Sequence, residues 1–157
     1  VTILVTIPNY ERRFQIAKKS RKTGKPRWWT VNGQGLYNAT MHYTLRSKMT
    51  KYFHAYLSRY IQEQISEEQI QLIRTHLVSV SLDIYEIKKG MLPDVSNLWL
   101  WTKWFEDALQ ECNVLIDDNC DNVIESGRTR YHWVDSEEKR KLKFNIDFIK
   151  LKNSTHE

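Results

Sequence analysis

Four aspartates and one lysine in the second half of the chain have the types and spacing for metal-assisted phosphoryl chemistry. Asp94 stands four residues beyond Gly90, where a strand pattern ends, and just ahead of a helical pattern. Asp117 and Asp118 close the short apolar run Val114-Leu115-Ile116, and Asp121 follows three residues later. Carboxylates delivered by separate strand-end loops are a plausible way to gather oxygen ligands on Mg²⁺ or Mn²⁺, which favour carboxylates and waters. Such an ion would neutralise charge on a phosphodiester, activate water and steady the leaving oxygen. Lys103, on the intervening helical stretch, would add positive charge near the scissile phosphate. The catalytic candidates are therefore Asp94, Lys103, Asp117 and Asp118, and the metal candidates Asp94, Asp117, Asp118 and Asp121. A plainer reading competes. Asp-Asp-Asn is common turn composition, because Asp and Asn bond their own backbone, and the pattern alone favours a turn at Asp117 and Asp118. Asp94 after Pro93 likewise suits the start of a turn.

Other chemistries lack their signatures. Cys112, Cys120, His132 and His156 do not have a zinc spacing. Gly24-Lys25 lacks the glycines and the following Ser or Thr of a phosphate loop. Asn32-Gly33-Gln34-Gly35 is too short for a dinucleotide fingerprint and reads as a flexible loop. No serine or cysteine has a nucleophile's context.

The charge is concentrated. The 157 residues carry a formal +5 with pI near 9.2, a balance that permits a polyanionic partner. Between Glu11 and Thr30 stand eight basic residues, Arg12, Arg13, Lys18, Lys19, Arg21, Lys22, Lys25 and Arg27, against Glu11 alone. That segment is thus +7 and the remainder −2. As a basic loop over 11–35 it would contact DNA phosphates, giving salt-dependent and largely sequence-independent affinity. Trp28 and Trp29 beside it would stack on exposed bases, or Trp29 would pack into the core.

The elements that must position these groups follow from periodicity. Val1 to Ile7 alternates and predicts a strand ended by Pro8-Asn9. Leu45, Met49, Tyr52, Phe53, Tyr56, Leu57 and Tyr60 have the three-four spacing of a long helix ending near Gln64 or Ile65. Ser66-Glu67-Glu68 suits the cap of a short second helix. His76 to Ile87 predicts a central strand, and Asn97 to Gln110 a helix capped by Ser96 or Asn97. Val114 to Ile116 reads as a short strand or extended edge, with further extended pieces at Asp121 to Glu125 and Arg130 to Val134. Lys141 to Leu151 alternates as a last strand. The expected fold is α+β: one domain over 1–152, with a small mixed sheet of four or five strands covered by two main helices, and a frayed tail over 153–157. Apolar runs are too short for a membrane span or signal peptide. The opening at Val1 suggests that leading residues are missing. Two cysteines do not make a disulfide scaffold, and the cytoplasm is the default compartment.

Pro93-Asp94-Val95-Ser96-Asn97-Leu98, then Lys103, then Asp107-Ala108-Leu109, then Val114 to Asp118, resembles the RusA-like Holliday junction resolvases. The specific part covers about 25 residues, and the order of elements outside it also fits. The resemblance implies a homodimer that binds four-way branched double-stranded DNA and cuts it symmetrically with Mg²⁺ or Mn²⁺. It implies that Asp94 is the first metal-binding aspartate and Asp118 the last, with Asp117 its acidic neighbour. Lys103 would lie near the phosphate, and Asn97 would order the loop or cap the helix. Two departures stand out. Ser96 occupies the place of the family's second aspartate, leaving Asp121 or Glu106 as alternative carboxylates. Three extra residues lie between Asn97 and Lys103, which either bulge the helix start or add nearly one turn, a shift of about 4.5 Å. The function expected is a metal-dependent, structure-selective endonuclease. The alternatives are a junction-binding protein that no longer cuts, and a structural or protein-binding domain. Trp99, Trp101 and Trp104 on one helix suggest an interface there or on the Tyr-rich helix.

Overall fold

A computed structural model describes residues 1–17, 23–37 and 41–152. Strand β1 (Thr2–Pro8) buries Ile3, Val5 and Ile7, with Leu4 exposed and Thr6 half-buried between them, the period-two pattern of a sheet with one covered face. It pairs antiparallel with β6 (Lys141–Leu151), placing Ile3 opposite Ile146 and Ile7 opposite Leu142. β4 (His76–Glu86) lies on the other side of β6, antiparallel to it, and pairs parallel with β5 (Val123–Trp133). The sheet order is β1-β6-β4-β5. This is a mixed four-stranded sheet in an α+β domain.

Two helices cover the apolar face and pack on each other. Helix α2 (Tyr43–Gln64) buries Met49, Phe53, Leu57 and Ile61, one stripe at four-residue spacing. Helix α4 (Trp99–Glu111) buries Leu100, Trp101, Trp104, Phe105, Ala108 and Leu109. Phe53 stacks on Trp104 with ring centroids 4.9 Å apart, and Phe105 stacks on Phe144 of β6 at 4.0 Å. Trp101 and Trp104 are thus hidden by their own chain, whereas Trp99 on the same helix is exposed. Between the helices, α3 (Glu67–Thr75) begins in a capping box made by Ser66 and Gln69, as the serine and acidic first turn lead one to expect.

Parallel strands cannot be joined by a tight turn. The crossover from β4 through α4 to β5 therefore carries Asp94, Lys103 and Asp117–Asp118 in its two loops and its helix. Several expectations are corrected there. Val114 to Ile116 is not a strand. Asn113 adopts a left-handed φ of 57°, and the amides of Val114 and Leu115 both return to the Leu109 carbonyl, at 2.8 and 3.2 Å. The run closes off the helix and buries Val114 and Leu115. The two extended pieces around Ser126-Gly127 are one strand, β5, which absorbs Gly127 at φ 87° through register shifts against β4. Ser96 and Asn97 do not cap α4. They lie in a 3₁₀ turn, Val95–Asn97, and Leu98 occupies the cap position with no side-chain bond. Residues 99–102 continue as regular helix.

The basic segment is also more structured than a loop. β2 (Arg13–Ala17) and β3 (Arg27–Thr30) form a two-stranded antiparallel hairpin, followed by one helical turn, α1 (Gly33–Leu36). Gly33 and Gly35 serve close packing rather than flexibility. A Cβ on Gly33 would meet the Trp99 indole at 2.3 Å, and one on Gly35 the Trp29 indole at 2.5 Å. Among the described residues, no helix is long and apolar enough to cross a membrane.

Candidate active site

Lys103 is the hub of the crossover. Its ammonium donates to Asp118 Oδ2 at 2.6 Å and reaches Asp107 Oδ1 at 3.0 Å, one helical turn along α4. Asp107 Oδ2 in turn faces His54 Nε2 of α2 at 3.4 Å, and His54 Nδ1 meets Glu111 Oε1 at 3.0 Å. Charges alternate along this row. Burial works to lower the Lys103 pKa, but the carboxylates of Asp118 and Asp107 outweigh it and hold the amine firmly protonated. For Asp107, burial pushes upward and is overcome by His54 and Lys103, leaving it below the usual carboxylate range. His54 is raised, because Asp107 and Glu111 overcome the opposing effect of burial.

Beside this row, Glu106 is only 5% exposed. Its carboxylate accepts a hydrogen bond from the Ser126 hydroxyl of β5. Burial raises its pKa, and the charges of Asp118 and Asp107 raise it further, against the lowering effects of Ser126 and Lys103. Glu106 is thus a buried acid crowded by acids.

The loop after α4 engages Asp117 and Asp118 differently. Asp117 Oδ1 accepts from Gln110 Nε2 at 3.0 Å and from the Asp118 amide at 2.7 Å, and its Oδ2 accepts from Asn119 Nδ2 at 3.2 Å. Asn119 Oδ1 accepts from the Asp121 amide at 3.1 Å and from Asn122 Nδ2 at 2.8 Å. The bonds from the Asp118 and Asp121 amides are side-chain-to-backbone turns of the kind Asp and Asn favour, and the other three join side chains, so Asp117 helps shape this loop. Asp118 faces Lys103, and the Asp121 residue is exposed.

Asp94 is the residue that caps the 3₁₀ turn Val95–Asn97, its carbonyl accepting from the Asn97 amide at 2.9 Å and its side chain making no cap bond. The preceding carbonyl, of Pro93, accepts from the Tyr131 hydroxyl at 2.9 Å and ties the loop to β5. Burial, with the nearby charges of Glu86 and Asp94, pushes the Tyr131 hydroxyl up to about 12. The Asp94 residue itself is exposed, as is Ser96. Among the described residues, no three His, Cys, Asp or Glu side chains stand together to hold a metal ion. The structure therefore does not gather Asp94, Asp117, Asp118 and Asp121 into one cluster.

On the basic side, Arg12 Nη1 donates to Glu86 at 3.1 Å, and the Arg13 guanidinium lies 5.1 Å from the Trp28 ring centre. Trp28 is half exposed, whereas Trp29 packs against the core. Lys25 and Arg27 are exposed. Lys18, Lys19, Arg21 and Lys22 lie outside the described residues.

Two partners in the Lys103 row were not singled out from sequence. Lys103, Asp107 and Glu111 share a four-residue spacing, which marks one helix face. His54 had no such signal, because it meets them across a helix pair. No protein-family model matches this chain, and no curated protein does.

Proposed function

We propose that this chain is a RusA-like, metal-dependent endonuclease that hydrolyses phosphodiesters in branched DNA, working as a homodimer. The observation that carries this reading is the meeting of Lys103 with Asp118 at 2.6 Å beside the buried acid Glu106. Mg²⁺ needs no complete protein cage. It keeps several waters and is commonly held by one or two carboxylates with substrate phosphates. Asp118 and Glu106 are the pair that fits, since a cation would relieve a buried carboxyl whose pKa is raised by burial and by neighbouring acids. When bound, the ion supplies charge neutralisation at the phosphate and an activated water.

The chain's own residues have distinct tasks in this scheme. Lys103 stays cationic, so it supports negative charge on the phosphate and does not act as a base. Asp107 holds that ammonium from α4, and His54 of α2 faces Asp107 from the other side. Asp117 shapes the loop that presents Asp118. The hairpin cations Arg12, Arg13, Lys25 and Arg27 contribute sequence-independent phosphate contacts.

A second reading is a protein that holds DNA junctions without cutting them. Ser96 in the place of an acidic residue favours it, as does the lack of a three-carboxylate group among the described residues. Cleavage of a synthetic four-way junction in Mg²⁺ or Mn²⁺ decides between them, with Asp118→Asn as control. Paired nicks that vanish in the control support the nuclease. Binding without nicks in either metal supports the second reading, and neither binding nor nicks overturns both.

A further inference from the structure

A cleft of about 370 Å³ opens between the hairpin and the loop that follows β4. Arg12, Arg13 and Thr30 form one wall, and Lys89, Gly90 and Met91 the other. We propose that this cleft is a dedicated site for one backbone phosphodiester of a nucleic-acid strand, with Lys89 and Arg13 gripping the same phosphate from opposite walls. The inference rests on the nucleic-acid part of the function proposed above and adds a residue outside the basic segment.

Three features support it. The first is charge: three cations line the cleft against one acid, Glu137, which lies 3.4 Å from the Arg140 guanidinium. The second is preorganisation. Arg12 is fixed from behind by the fully buried Glu86 at 3.1 Å, and a guanidinium has five N–H donors, so one anchoring contact leaves others to face the cleft. An anchored donor loses less freedom on binding than a swinging one. The third is shape. Gly90, at φ 68°, takes a left-handed turn that other residues rarely adopt, and Met91 beside it is fully exposed. Cations that share the lining with apolar Ile87 and Met91 suit a phosphate flanked by sugars. Leu92, two residues ahead of Asp94, also lines the cleft.

The test separates this cleft from the wider function. Binding of a fluorescent four-way junction would be followed by anisotropy across a KCl series in chelator, where no cutting occurs. Wild type would be compared with Lys89→Ala, Arg13→Ala, the double variant and Arg13→Lys. Each phosphate neutralised contributes about −0.9 to the slope of log affinity against log salt. If both cations serve one phosphate, the double variant loses about 0.9 of slope, each alanine variant loses less, and Arg13→Lys stays near wild type. Both side chains are exposed, so unchanged melting temperatures are expected and confirm folding. A double variant with the wild-type slope overturns the site. So does a loss of about 0.9 in each single variant and about 1.8 in the double, because that means two separate phosphates. Failure of wild type to bind at low salt instead overturns the nucleic-acid reading itself.

Discussion

Two ionic clusters sit on the same small fold and behave as opposites. At the end of β4, Glu86 is fully buried, yet it accepts from Arg140 Nε at 2.6 Å, Arg140 Nη2 at 3.1 Å, Arg12 at 3.1 Å, its neighbouring Ile87 amide at 2.9 Å and the Tyr10 hydroxyl. The Arg140 guanidinium also lies 4.7 Å from the Tyr10 ring centre. Burial pushes the Glu86 carboxyl upward, but these donors win and hold it below its ordinary value. On α4, Glu106 is nearly as buried, and burial raises it without enough donors to bring it back. The lesson is about saturation rather than depth. A buried carboxylate whose lone pairs are filled is architecture, whereas one left crowded by other acids is a place where a cation can bind.

Breaking the saturated cluster has the largest expected effect. Glu86→Gln leaves the buried Arg140 with only the exposed Glu137, at 3.4 Å, as a counter-charge, and loss of the buried partner costs about 3–5 kcal/mol. For a chain of this size that lowers Tm by roughly 6–20 °C, measured by calorimetry. A loss under about 1 kcal/mol would mean that water already reaches the cluster and that the contrast with Glu106 is false.

The open cluster should lose function instead. Asp118→Asn is expected to reduce metal-dependent junction cleavage by more than the 10- to 100-fold typical of outer-shell changes, that is, by about 100-fold or more. Its stability should change by less than about 1 kcal/mol, because Lys103 is about half exposed and keeps Asp107. A large fall in Tm with intact cleavage would assign Asp118 to architecture.

Glu106→Gln sharpens the comparison in the other direction. A carboxyl whose folded pKa lies above its unfolded value of about 4.3 costs nothing below that pH. Stability is then lost as pH rises from the unfolded value through the folded one. Removing the charge should therefore raise stability at neutral pH by about 1 kcal/mol and flatten that decline in a pH series of denaturant melts. The same variant should bind Mn²⁺ at least about tenfold more weakly by titration calorimetry. Greater stability with unchanged Mn²⁺ affinity would remove Glu106 from the site.

What the sequence disclosed divides along physical lines. The stripe Met49, Phe53, Leu57 and Ile61, the Ser66 cap and the alternations of β1, β4 and β6 are local patterns, and each reads directly. The β2–β3 hairpin was hidden because cations dominate it, and pairing Phe14 with Trp29 requires the turn between them. β5 was split by Ser126-Gly127, where the register against its parallel neighbour β4 shifts, a pairing between segments far apart in sequence. At the candidate site, the four-residue spacing from Lys103 to Asp107 to Glu111 was available on the page of letters. The saturation of Glu86 and the crowding of Glu106 were not, since Arg140 and Ser126 reach them from strands and turns 54 and 20 residues away.

The smallest effect concerns the row that links the open cluster to α2. His54 is 14% exposed at its side chain and sits between Asp107 and Glu111, both from α4, with Lys103 behind Asp107. Its folded pKa is raised above the ordinary histidine value by those carboxylates, against the effect of burial. The stability it contributes is fully present below the unfolded pKa, about 6.5, and is lost as pH rises through the folded value. Because Glu111 is more than half exposed, screening limits the amount to under about 1 kcal/mol, or about 2–4 °C in Tm. His54→Gln should remove that pH dependence while leaving the core contacts of α2 with α4 in place. If wild type and variant change in parallel across this range, His54 has the same pKa folded as unfolded. Asp107 would then be held by Lys103 alone, and the row would end at α4 without reaching α2.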